Sequence, residues 1–155
     1  MRLICLCLAL FLSEILYASP LMPGHVPRFA SLRSDFVYGR VGPGEGYPVE
    51  WIYTRSLMPL KIIKDHQTWR LVEDKDGQKS WIHKRLLSGL RTVVFVSSVP
   101  VSIHKEPSKK SFVIAHAEPG VIALLDKQEG EWVRVKIEKY VGWVIQDALW
   151  GVKFG

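Results

Sequence analysis

The chain repeats itself, and the repeat limits its fold more than any other feature. Trp69-Arg70-Leu71-Val72 precedes Ser80-Trp81-Ile82 and Leu87-Ser88-Gly89. Trp132-Val133-Arg134-Val135 precedes Gly142-Trp143-Val144 and Leu149-Trp150-Gly151. The offset is 63 at the first Trp of each set and 62 at the second, so the intervening loop is one residue shorter in the second copy. Upstream, Pro43 and Val49 match Pro107 and Val113 at an offset of 64. The chain therefore reads as two copies of one unit, residues 28–90 and 91–155. A domain of about 60 residues buries only ~60% of the surface that its unfolded chain exposes. The two copies are therefore expected to pack together.

Within the first unit, short strands alternate with turn signals. Phe36 to Arg40 reads as extended. Gly42-Pro43-Gly44-Glu45-Gly46 reads as a loop in which three glycines permit positive φ. Val49 to Arg55 alternates, with Val49, Trp51 and Tyr53 against Glu50, Ile52 and Thr54. Leu60 to Lys64 forms a third strand. Trp69 to Glu73 and Lys79 to His83 flank the polar loop Asp74-Lys75-Asp76-Gly77-Gln78, a hairpin signature. Pairing positions whose numbers sum to 152 leaves that five-residue loop and sets Leu71 opposite Trp81. Trp69, Leu71, Trp81 and His83 then share one face, while Arg70, Val72 and Ile82 take the other. Lys84 to Ser88 reads as one helical turn. No segment sustains a helical period long enough for an amphipathic helix. Five short strands in some 60 residues predict an all-β chain in which each tandem unit is a small β-barrel or a pair of packed sheets.

The N-terminus carries a different signal. Behind Arg2, residues 3–12 form an apolar run of ten. A membrane-spanning helix needs roughly 20 apolar residues. The shorter run, with small residues at Ala18 and Ser19, predicts a secretory signal peptide over residues 1–18. A short uncleaved anchor is the competing reading. Both cysteines, Cys5 and Cys7, lie inside the segment. The processed chain would then hold no thiol, which removes Cys nucleophiles, thiol redox cycles and Cys-ligated metals together. An exported protein, periplasmic or secreted and without a membrane span after processing, is expected.

Several segments of the first unit resemble the bacterial SH3-like domains. They are Arg40-Val41-Gly42-Pro43-Gly44, Tyr47-Pro48-Val49, Trp69-Arg70, and Ser80-Trp81-Ile82 followed by Leu86-Leu87. Members of that family carry an Arg-x-Gly-Pro-Gly-x-x-(aromatic)-Pro-Val segment, a Trp-x-x-Val strand and a Gly-Trp-Val strand. The second unit diverges: His104-Lys105-Glu106-Pro107-Ser108 stands in place of the Gly-Pro-Gly segment, although Trp132 and Gly142-Trp143-Val144 remain. The first unit departs at Ser80, where the family shows Gly. The resemblance implies an SH3-like β-barrel in each unit. It also implies a binding module of an exported bacterial protein, with peptidoglycan or other wall or protein ligands. It does not define the ligand, because one fold serves many functions.

Six aromatics are the ligand-binding candidates. Trp69 and Trp81 read either as a platform for a peptide or sugar ring, or as rings that close the core or the contact between units. Tyr38, Tyr47, Trp51 and Tyr53 surround the Gly-Pro-Gly loop, and SH3-type domains hold extended ligands with aromatics near it. The alternation of Val49, Trp51 and Tyr53 equally suits a half-buried strand. Tyr47 sits in the loop itself, and Ser111 takes its place in the second unit. Arg40 has five donors in a fixed fork, suited to loop carbonyls or to one carboxylate. With Gly42, Pro43 and Gly44 it is expected to shape the loop.

Other chemistries find little support. The net charge is +6; eleven basic and seven acidic residues fall in the first unit, nine and seven in the second. That excess fits an acidic wall polymer or acidic protein, and equally an ordinary solvated surface. The Lys and Arg are scattered rather than striped, so nucleic acid is not an expected partner. His25, His66, His83, His104 and His116 include no pair at i, i+4, so no metal site is expected. There is no Gly-x-Ser-x-Gly elbow and no phosphate loop. Asp74 and Asp76 fall in a hairpin loop expected to be exposed, where carboxylates are seldom tuned for catalysis. No cofactor is expected. The sequence therefore reads as a non-enzymatic binding module of the cell envelope that docks an extended protein segment or a peptidoglycan peptide. The alternatives are a secreted factor acting on a host or neighbouring cell, and a cell-wall hydrolase.

Overall fold

The computed structural model describes residues 24–152. The expected signal peptide and both cysteines lie outside those residues. The first unit runs β1 (Arg28–Leu32), β2 (Val37–Arg40), β3 (Val49–Tyr53), β4 (Pro59–His66), β5 (Trp69–Glu73) and β6 (Lys79–His83). A single 3-10 turn (Lys84–Leu86) then leads into β7 (Leu87–Ser88). The second unit repeats the order: β8 (Thr92–Phe95), β9 (Val101–His104), β10 (Val113–Ala117), β11 (Ile122–Glu129), β12 (Trp132–Ile137), β13 (Tyr140–Ile145), a 3-10 turn (Gln146–Ala148) and β14 (Leu149–Trp150). Among the described residues no helix is long and apolar enough to cross a membrane.

The strands form two antiparallel sheets of identical topology. One has the order β3-β2-β6-β5-β4-β1-β7, and the other β10-β9-β13-β12-β11-β8-β14. Every strand of the first sheet contributes to one core: Ala30, Leu32, Val37, Tyr53, Leu60, Ile62, Val72, Ile82 and Leu87. The second sheet gathers Val93, Phe95, Ile103, Ala117, Ala123, Val133, Val135, Val144 and Leu149 in the same way. A sheet that sends side chains from all seven strands into one cluster must curl around it. The curl stops short of the expected closed barrel, since no ladder joins β3 to β7 among the described residues. β7 has two residues, and both pair with β1, as Ser31↔Ser88 and Leu32↔Leu87.

The β5–β6 hairpin adopts the register that the sum of 152 predicts, from Trp69↔His83 to Glu73↔Lys79. Its loop departs from expectation at Asp74, which is buried. The Asp74 carboxylate accepts from the N–H of Asp76 and of Gln78, both at 2.9 Å. Gly77 takes a φ of +83°, which favours a residue without Cβ. In the second unit a two-residue turn at Glu138-Lys139 replaces this loop, with Ile137 opposite Tyr140. β3 departs from simple alternation too. A bulge sets Trp51 opposite Gly39 but Val49 opposite Arg40, so Val49 and Trp51 face opposite sides.

The two sheets meet at a seam made by β1, β4, β8 and β14. Phe29 packs edge-on against Trp150, with ring centroids 5.0 Å apart. The Arg91 guanidinium lies over the Phe29 ring at 5.7 Å and donates from Nη2 to the Gly151 carbonyl at 2.9 Å. Arg55 Nη1 donates to the Gly120 carbonyl at 3.0 Å. Deeper in the seam, the buried hydroxyls of Ser31 and Thr92 stand 2.6 Å apart. Ser31 Oγ also reaches the Leu90 carbonyl, and Thr92 Oγ1 reaches the Leu57 carbonyl at 2.7 Å. Two hydroxyl protons thus serve three close contacts. Thr92→Val keeps the shape and deletes one proton, leaving the Leu57 carbonyl unpaired. We expect urea unfolding to show a loss of about 1–3 kcal/mol.

Candidate functional site

Register decides which predicted aromatics meet. Arg40 pairs with Trp81 and Trp81 with Leu71, while Trp69 pairs with His83. Tyr38, two residues before Arg40, faces the same way. Tyr38, Arg40, Trp81, Trp69 and His83 therefore share the face of the sheet opposite the core. Tyr38 and Trp69 line one cleft of about 210 Å³ with Phe36, Arg40, Glu45, His83, Arg85 and Leu86. Phe36 meets Tyr38 edge-on at 5.2 Å, and Trp69 meets His83 edge-on at 5.4 Å. Trp69 is only 8% exposed yet lies outside the core cluster, so its ring forms the floor of this cleft. Arg85 and Glu45 approach to 3.6 Å across it, both well exposed. Trp81 leans elsewhere, edge-on to His66 at 6.2 Å.

The other predicted aromatics separate. Trp51 is exposed but belongs to the opposite face, beside Gly39. Tyr53 is a correction: it is 3% exposed and belongs to the core cluster. Its hydroxyl stands 3.1 Å from Ser80 Oγ, and burial pushes its pKa up to about 12. A side chain so enclosed cannot meet a ligand. Sequence reasoning passed over Phe36, Glu45 and Arg85, and set His83 on the Trp69 face without naming it as a site residue. Phe36 could have been found from its spacing of two from Tyr38, which puts both on one face of an extended segment. The charged pair carries no local signal.

The Gly-Pro-Gly loop is held by Arg40, whose Nη1 donates to the Tyr47 carbonyl at 2.7 Å. Its backbone closes through Val41 N–H to Pro48 O, Gly44 N–H to Gly42 O and Tyr47 N–H to Gly44 O. The second unit reproduces all three bonds, from Lys105 to Phe112, Ser108 to Glu106 and Ser111 to Ser108. His104 Nδ1 stands 3.1 Å from the Ser111 carbonyl, in the place of the Arg40 clamp. The same loop thus forms with Glu106 and Ser108 where the first unit has Gly42 and Gly44. None of Gly42, Gly44 and Gly46 is among the positive-φ glycines, contrary to expectation. Gly42 has a different cause: a Cβ there would collide with the Tyr47 ring, 2.6 Å from its Cγ. The Tyr47 ring lies on the glycines with its outer side exposed. Ser111 needs no such space, and its Oγ instead accepts from the Glu106 N–H at 2.8 Å.

A second hollow, about 620 Å³, lies between the units and is lined by Asp35, Arg55, Leu57, Ile122, Lys136 and Glu138, among others. Hydrogen bonds from Ser56 hold the Asp35 carboxyl below its usual pKa. Among the described residues no group of three or more His, Cys, Asp or Glu is placed to hold a metal ion.

Comparison with known proteins gives the family. The chain is similar to the structures of NlpC1 and NlpC2 from Trichomonas vaginalis, at 15% and 16% identity and TM-scores of 0.35 and 0.36. Those likenesses cover 81% and 80% of this chain but 46% and 48% of the other two, so the chain spans about half their length. No curated protein matches it. The family model for the bacterial SH3 domain matches residues 34–89 and again residues 97–151. The chain belongs to the bacterial SH3 domain family, of which it carries two tandem copies.

Proposed function

We propose that this protein is an exported, non-enzymatic binding module of the bacterial cell envelope, and that its first unit docks an extended protein segment or a peptidoglycan peptide. The observation that carries the reading is the cleft between the Gly-Pro-Gly loop and the Trp69 ring. It combines exposed rings with one acid and two Arg side chains. Rings at Phe36 and Tyr38 offer apolar contact, while Glu45 and Arg85 offer partners for the charged ends or side chains of a peptide. Tyr47, outside the lining of the cleft, adds a half-exposed ring on the neighbouring loop, where Gly42 and Gly44 leave room for it.

Retention on solubilised envelope proteins and on purified cell wall tests the reading. The chain from Ser19 onward is expected to be retained by one of them above a blank matrix. Tyr38→Ala and Tyr47→Ala should each lower the affinity by about 30-fold, the loss expected of a central aromatic anchor. Retention by neither material would refute the module, and retention insensitive to both substitutions would refute the site.

A further inference from the structure

The loop of the second unit keeps the backbone of the first but changes its chemistry. Where the first unit has Val41, Glu45, Gly46 and Pro48, the second has Lys105, Lys109, Lys110 and Phe112. Phe112 is 83% exposed, the most open large apolar side chain in the described residues. Val113 beside it is exposed too, and so are all three lysines. Among the described residues no acidic side chain pairs with any of those lysines. Glu106 is the one acid in the loop. The scaffold is fixed: Lys105 N–H bonds Phe112 O at 2.9 Å, Ser111 Oγ accepts from Glu106 N–H, and Ser108 Oγ accepts from Lys110 N–H at 3.2 Å. The charges and the ring are thus held on one short rigid projection.

We propose that this loop docks on bilayers containing anionic phospholipid, with Phe112 inserted among the headgroups and Lys105, Lys109 and Lys110 against their phosphates. A bilayer matches both halves of the pattern. A soluble polyanion would draw on the lysines and leave the ring in water. A bilayer surface gains from each nearby Lys and from each apolar group that enters its interface. The fixed loop loses little conformational entropy on docking. The proposal stands apart from the cleft of the first unit and does not depend on it.

Vesicle flotation tests it, using the chain from Ser19 onward, which retains both cores. Vesicles of phosphatidylcholine with phosphatidylglycerol should carry the protein, and vesicles of phosphatidylcholine alone should not. Each Lys removed is expected to weaken partitioning about fivefold, so Lys109→Glu with Lys110→Glu should cost at least ~25-fold. Phe112→Ser, which leaves every charge in place, should abolish flotation as well. Thermal unfolding should be unchanged in both variants, because the altered side chains are exposed. Tyr38→Ala should float like the parent, so failure of the first-unit site leaves this result readable. Absence of flotation overturns the proposal. So does flotation that survives Phe112→Ser while being lost to lysine reversal or to polyglutamate as competitor; that outcome would identify an acidic polymer as the partner.

Discussion

Gly151→Ala is expected to lower the melting temperature by about 10 °C, while Gly89→Ala leaves it unchanged or slightly raised. The two glycines occupy the same place in the repeat, yet they serve different purposes. A Cβ on Gly89 would meet nothing within 4 Å, and its φ is not positive. Gly151 has a φ of +106°, and a Cβ there would meet the Thr92 carbonyl oxygen at 2.7 Å and Pro59 Cβ at 3.2 Å. The Thr92 backbone cannot easily yield, because its side chain bonds Leu57 across the seam. The Gly151 carbonyl itself accepts from Arg91. Backbone strain and overpacking together cost on the order of 3 kcal/mol. Circular dichroism melts of the two variants side by side decide it. A Gly151→Ala variant that melts with the parent would show that the close approach at Gly151 does not support the fold.

That contrast shows what a repeat reveals and what it conceals. The β5–β6 hairpin was legible because its turn residues and its two Trp leave one register that aligns the apolar positions. β1 and β7 were not: Arg28-Phe29-Ala30-Ser31-Leu32 shows no alternation, since its polar Ser31 serves the seam rather than the solvent. The four consecutive buried residues Thr92–Phe95 have a similar cause. They pack on their own core and also on the first unit. At the candidate site, Tyr38 and Trp69 could be named from sequence, and so could the Arg40 clamp as one of two options. Trp51 and Tyr53 share a face and differ in burial, which depends on the strands around them. Val49 and Trp51 could not be sorted, because the bulge in β3 sets them on opposite faces. Nor could the glycines of the loop, whose purpose depends on a ring three to five residues away.

The first unit's Ser80, where its family resemblance predicts Gly, leads to a second large effect. Gly39→Ala is expected to cost about 2 kcal/mol, and Ser80→Gly should relieve the clash. A Cβ on Gly39 would collide with the Ser80 hydroxyl and lie 2.7 Å from its Cβ. The second unit shows the reciprocal solution: Ile103 stands at the place of Gly39, Gly142 at that of Ser80 and Ala117 at that of Tyr53. There a Cβ on Gly142 would sit 2.6 Å from Ile103 Cγ2. Large and small side chains have exchanged strands, keeping each core filled. Ser80→Gly alone leaves the buried Tyr53 hydroxyl without its partner, a loss of about 1–3 kcal/mol. Tyr53→Phe removes that hydroxyl, so Gly39→Ala, Ser80→Gly and Tyr53→Phe together should return to within about 1 kcal/mol of the parent, with the coupling read from a mutant cycle. Alkaline titration supplies an independent readout. Burial raises the Tyr53 pKa from 10.0 to about 12. As pH rises from 10 to 12, the unfolded chain releases this proton and the folded chain keeps it, so stability falls. The fall should be on the order of 2 kcal/mol, and variants carrying Tyr53→Phe should lack it. A triple variant no more stable than Gly39→Ala alone would place the cost of that substitution outside the Gly39–Ser80–Tyr53 contact.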